Sequence, residues 1–117
     1  MIADDMSREV ETELADLAER LTAPGRAECL RCFLLRMITE FGCDGTYRWT
    51  IRWREVCAAR RARLLDQLAR RGGFCDCEVL MNVYPDYPPV NAALPCAGIP
   101  KPASSRPCDL RQLRKSA

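Results

Sequence analysis

The chain has no histidine and only two lysines among its eighteen basic residues. Without an imidazole it lacks the commonest general base and the usual ligand of catalytic zinc, so hydrolase and deaminase sites with an open coordination position are disfavoured. No glycine-rich phosphate loop, nucleophile elbow, paired-carboxylate constellation or internal repeat appears. Glu78 is the sole candidate base near any cysteine, and it reads equally well as a solvated carboxylate in the first turn of a helix. The opening Met1-Ile-Ala-Asp-Asp-Met-Ser has neither a basic segment nor an apolar run, so no secretory signal is expected. No stretch approaches the ~18 consecutive apolar residues of a membrane span. These absences together predict a non-enzymatic, cytoplasmic protein with no membrane partner.

What is present is cysteine. Eight occur in 117 residues, with about half of the chain apolar. A domain this small gains little margin from burial alone and often needs a staple. In a reducing cytosol, clustered cysteines bind metal or do chemistry more often than they form disulfides.

The hydropathy pattern predicts a mainly α fold of four to five helices over residues 1–84, followed by a flexible, disordered proline-rich tail over 85–117. Residues 7 to 22 carry Val10, Leu14, Leu17 and Leu21 at helical spacing, with Ser7 as N-cap, and Ala23-Pro24-Gly25 stops the helix. A second helix is expected from Ala27 to Phe41, rich in Leu30, Phe33, Leu34 and Met37 and ended by Gly42. Asp44-Gly45-Thr46 should cap a third, with Trp49 and Trp53 one turn apart. A fourth is expected from Ala58 to Arg71, closing on Gly72-Gly73. Residues 74 to 84 alternate as a strand face would, yet no partner strand exists, and Asp76 can cap a short helix bearing Val79, Leu80 and Val83. Helix is preferred. Seven of the eight prolines fall between Pro85 and Pro107, a composition that packs poorly.

Charge is polarised. Residues 1 to 28 hold eight acids against three arginines, whereas residues 48 to 71 hold eight arginines against Glu55 and Asp66. Arg48, Arg52, Arg60 and Arg63, with Trp49, Trp53 and Tyr47 between them, allow a nucleic-acid or ribosome-binding face. The plainer reading is a solvated helix surface with its tryptophans turned inward. The acidic first helix can equally neutralise the patch within the molecule.

Two close cysteine pairs stand about 45 residues apart, Cys29-x-x-Cys32 and Cys75-x-Cys77. Each delivers two thiolates from one short segment, as a four-cysteine zinc site requires. The expected ligand set is therefore Cys29, Cys32, Cys75 and Cys77. Cys43 is the alternative ligand. A continuous second helix puts it about 16 to 20 Å from Cys32 and Cys29, so it belongs to a site with Cys75, Cys77 and one further ligand. Cys57 reads as a small buried hydrophobe. Cys96 and Cys108 lie in the proline-rich segment without partner spacing and are expected to be exposed, unstructured thiols.

The run Gly72-Gly73-Phe74-Cys75-Asp76-Cys77-Glu78-Val79, preceded by Cys43-Asp44-Gly45-Thr46 and the two tryptophans, resembles a bacterial family catalogued as domain of unknown function 2695. The Cys29-x-x-Cys32 helix resembles its actinobacterial branch. The likeness covers about residues 28 to 84 and implies no known activity. Many relatives read Cys-Asp-His-Thr where this chain has Cys43-Asp44-Gly45-Thr46. The resemblance thus implies a site of Cys43, that histidine, Cys75 and Cys77, which cannot carry over intact here. The functional expectation is a small zinc-stabilised interaction module with an unidentified protein partner. The alternatives are a nucleic-acid-binding module and a zinc- or thiol-redox-responsive regulator.

Overall fold

The computed structural model describes residues 2–25, 27–84, 96–99 and 101–108, with the side chains of 2–8 left aside. Five helices form, with no strand among the described residues: α1 (Ile2–Leu21), α2 (Leu30–Phe41), α3 (Arg48–Cys57), α4 (Leu64–Arg70) and α5 (Asp76–Glu78). The last continues directly into a π-helical turn, Val79–Val83. The fold is mainly α, as the periodicity predicts.

Three boundaries and one cap differ from that reading. α1 extends to Ile2, beyond the expected cap at Ser7. α2 begins three residues later than expected, because Cys29 is its N-cap: the Cys29 sulfur accepts the Cys32 N–H at 3.4 Å. α4 is shorter, since residues 58–63 form successive turns rather than a helix. The fourth difference is Asp76, which caps α3 across space rather than its own helix. Its carboxylate accepts the N–H groups of Trp49 (2.9 Å) and Thr50 (3.0 Å) and the Thr50 hydroxyl (2.6 Å). These N–H groups belong to the first turn of α3, whose own N-cap, Tyr47, contributes no side-chain bond. Asp44 and Thr46 build the turn before it instead. Asp44 accepts the Thr46 N–H at 3.0 Å, and the Thr46 hydroxyl accepts the Arg48 N–H at 3.2 Å.

α2 is the central element. Leu30, Phe33, Leu34 and Met37 are buried against Trp49 and Trp53 of α3, Leu64 and Leu68 of α4, and Val79 and Val83 of the π turn. Both indoles are satisfied inside the fold: Trp53 donates to the Glu28 carbonyl at 2.9 Å and Trp49 to the Gly42 carbonyl at 3.1 Å. Two indoles sealed in this way offer no stacking platform to bases.

Gly73 is required by close approach. A β-carbon there would sit 2.8 Å from Val79 Cγ2, 3.0 Å from Val83 Cγ2 and 3.1 Å from Val79 Cα. The last is backbone and has little room to retreat. Gly73→Ala is expected to cost about 1–3 kcal/mol through overpacking, measured as a lowered midpoint of chemical unfolding.

The proline-rich region falls partly outside the described residues, but residues 96–99 and 101–108 lie against the helices. The Ile99 N–H donates to the Ala27 carbonyl at 2.8 Å, Arg61 to the Ala103 carbonyl at 3.1 Å, and the Tyr84 hydroxyl to the Ser105 carbonyl. Ile99 and Ala103 pack on the apolar core.

Candidate metal centre

The start of α2 is where sulfur collects. Cys29 caps the helix and Cys32 follows one turn later, so both side chains leave the same end of it. The segment carrying Cys96 reaches this end through the Ile99–Ala27 bond, and the Cys29 N–H donates to the Cys96 sulfur at 3.2 Å. Cys108 closes the group, its sulfur 3.6 Å from that of Cys32. All four sulfurs of Cys29, Cys32, Cys96 and Cys108 lie within 4.8 Å of one another.

A tetrahedral zinc with bonds of ~2.3 Å sets its sulfurs about 3.8 Å apart, so the group needs only a small contraction to hold such an ion. Three backbone N–H groups already point at these sulfurs: Cys32 to Cys29 (3.4 Å), and Cys29 (3.2 Å) and Gly98 (3.4 Å) to Cys96. Donors of this kind stabilise thiolate charge and orient the ligands. Cys29 is fully buried and Cys108 nearly so, with Ile99 packed beside them.

The proton distribution follows from the packing. The Cys32 thiol pulls Cys29 downward, but Cys96 and burial outweigh it and push Cys29 up to about 12. Cys32 is raised as well, by its contacts with Cys29 and Cys96 and then by burial. Cys96 is lowered, because the Cys29 and Cys32 thiols and two backbone N–H groups donate to it. The first negative charge of the group therefore rests on Cys96.

The structure brings Cys29 and Cys32 together with Cys96 and Cys108, not with Cys75 and Cys77. The physical reason is the anchoring of residues 96–108. Their hydrogen bonds and the packing of Ile99 and Ala103 carry two thiols to α2 that composition alone assigns to an exposed tail. Cys75 and Cys77 take their places around the first turn of α5, near Cys43 rather than Cys29. The Asp76 N–H bonds the Thr46 carbonyl at 3.1 Å, stitching the Cys43–Thr46 turn to this helix start. Cys75 lies 3.7 Å from Glu78 Oε1 and Cys43 accepts the Gly45 N–H at 3.5 Å. Cys57 packs on the apolar core.

Cys43 is the activated thiol of this second set. Partial burial pushes it up, but the N–H groups of Cys77 and Gly45 and the thiols of Cys77 and Cys75 win and lower it. Burial raises Cys57 and Cys75, and Cys77 to about 11. Limiting iodoacetamide near neutral pH is therefore expected to label Cys43 ahead of Cys57, Cys75 and Cys77, as peptide mapping by mass spectrometry would read.

Residues 30–82 match the family described as a protein of unknown function (DUF2695). Over this segment the chain is similar to that family. Among similar proteins are the uncharacterized protein Rv2271 of Mycobacterium tuberculosis and the uncharacterized protein Mb2294 of Mycobacterium bovis. Each is 41% identical over 47 residues, covering 40% of this chain. The chain spans about half (48%) the length of these relatives. No solved structure matches. The DUF2695 segment contains Cys43, Cys75, Asp76 and Cys77, whereas Cys29, Cys96 and Cys108 of the four-sulfur group lie outside it. Three of the four grouped thiols thus come from the flanks of the matched segment, and Cys32 comes from its first turn of helix.

Proposed function

We propose that the chain is a small, non-enzymatic interaction module whose fold is completed by one zinc ion on Cys29, Cys32, Cys96 and Cys108. The observation that carries this reading is the convergence of four thiols within 4.8 Å from two distant segments. Four thiolates fill a tetrahedral shell and leave no open position for a substrate, the arrangement of structural rather than catalytic zinc. Sulfur-only tetrahedral sites suit zinc or iron, and zinc is preferred here because a single-ion structural clamp needs no redox chemistry. The ion would fasten the 96–108 segment to the start of α2, adding the link that a small apolar core lacks. A cytoplasmic location belongs to the same proposal, since thiols stay reduced there. No described helix is long and apolar enough to cross a membrane.

The test is native mass spectrometry with elemental analysis on the reduced protein. One zinc per chain is expected, retained in Cys75→Ser and Cys43→Ser and lost in Cys29→Ser and Cys96→Ser. Loss in Cys75→Ser with retention in Cys96→Ser would overturn the ligand set. One iron per chain would replace the ion, and a metal-free, cooperatively folded protein would end the proposal.

A further inference from the structure

α1 carries an apolar stripe that nothing in the described structure covers. Val10, Leu14, Leu17 and Leu21 are 53%, 59%, 46% and 55% exposed. Their spacing of four, three and four residues is the alternation of the d and a positions of a heptad, the seam of a helix pair. The helix touches the domain through its other side. Arg52 reaches the Glu19 carboxylate at 3.6 Å and its carbonyl at 3.3 Å. At 3.6 residues per turn, Glu19 points almost opposite the centre of the stripe, so the leucines face away from the body. In proteins most of a helix's stability comes from burying its apolar face.

We propose that this stripe binds the same stripe of a second copy of the chain, with the two α1 helices antiparallel. Charge selects both the occupant and the orientation. Glu13 and Arg20 occupy the same flanking position, g, of successive heptads. In an antiparallel pair g faces g, so Glu13 of each copy meets Arg20 of the other, giving two ion pairs. In a parallel pair g faces e, and Glu13 meets Ala18 instead. α1 joins the domain at its C-terminal end, so the antiparallel arrangement also sets the two bodies at opposite ends of the pair. An anionic lipid surface suits the stripe poorly, because Glu9, Glu11, Glu13 and Asp16 surround it. The inference does not depend on the metal.

Sedimentation velocity on the full, reduced chain, from about 1 to about 500 μM, tests it in the range expected of a short helix pair. A monomer–dimer equilibrium is expected. Leu14→Glu and Leu17→Glu should be monomeric throughout. Arg20→Glu, which sets glutamate against glutamate twice, should weaken the dimer by about tenfold, and Glu13→Arg/Arg20→Glu should restore it. All four positions are on the stripe or its flank, away from the domain, so the unfolding midpoint of the dilute monomer should not move. A monomer at every concentration overturns the proposal and leaves the stripe to a different partner. So does a dimer that survives Leu14→Glu. A dimer lost in Leu14→Glu but indifferent to both charge variants overturns the antiparallel arrangement.

Discussion

Cys108→Ser is expected to abolish stoichiometric zinc binding and to release the segment from residue 96 to residue 108. Cys108 would be the far end of the proposed clamp, and its sulfur sits 3.6 Å from that of Cys32. Losing one of four ligands opens the shell to water and forfeits a share of the binding free energy, which for structural zinc in small peptides is about 10–16 kcal/mol at neutral pH. Only the part coupled to folding shows as stability. Even a loss of about 3 kcal/mol would lower the melting temperature by roughly 12–24 °C in a domain of this size. Hydrogen exchange locates the effect. The Ile99 amide, bonded to the Ala27 carbonyl, should lose protection along with its neighbours, while α2–α3 amides of the core keep more of theirs.

The same site fixes the direction of its pH dependence. In the metal-free protein Cys29 lies at about 12 and Cys32 is raised too, so both are protonated near neutrality. Binding must expel both protons, whereas donation from the Cys29 and Cys32 thiols lowers Cys96 and favours its thiolate. Zinc affinity should therefore fall as pH drops, by at least about two log units per pH unit through the neutral range. Competition titrations with a chromophoric chelator measure this slope. A slope near zero would mean that the thiolates are preformed and the proton assignment is wrong.

Legibility in the sequence divided along the range of the interactions. The helices were readable because each announces itself locally: apolar residues at helical spacing in α1 and α2, Gly42 closing α2, and the double glycine after α4. The role of Cys57 as a core residue followed from the same local logic. Half of the four-sulfur group was readable as well, because Cys29-x-x-Cys32 is a local pair on one helix end. The other half was not. Cys96 and Cys108 are separated by eleven residues in a proline-rich stretch, and what places them is a set of long-range bonds to Ala27, Arg61 and Tyr84 that no periodicity encodes. The Cys75-x-Cys77 spacing drew attention to the wrong partners for α2. Cysteine arithmetic carried a signal, since one close pair plus two single thiols in a small domain also make four ligands. Composition argued against using them.

The residue between Cys75 and Cys77 is the strongest case of a role hidden from local reading. Asp76→Ala is expected to destabilise the domain by about 3–5 kcal/mol. Its carboxylate is fully buried and takes three hydrogen bonds from Trp49 and Thr50, both of them buried. Hydrogen bonds to charged groups contribute about 1.5–3 kcal/mol each, and buried donors left without a partner cost a further penalty. Loss of an ordinary N-cap costs about 0.5–2 kcal/mol, so a carboxylate that caps one helix from the start of another belongs at the upper end of single-residue effects. Asp76→Asn separates charge from shape. One oxygen can still serve Thr50, but the amide NH₂ then faces the Trp49 N–H, donor against donor, for an expected loss of about 2–3 kcal/mol. Chemical unfolding followed by the fluorescence of the buried Trp49 and Trp53 gives both numbers, and native mass spectrometry at low temperature should still find metal on the folded fraction. The distinction matters for the fold. Asp76 is the point where the turn bearing Cys43, the start of α3 and the start of α5 are tied together, because its N–H holds Thr46 while its side chain holds α3. A change below about 0.5 kcal/mol in Asp76→Ala, the size of an ordinary surface substitution, would mean that α3 keeps its place by packing of Trp53 and Trp49 alone.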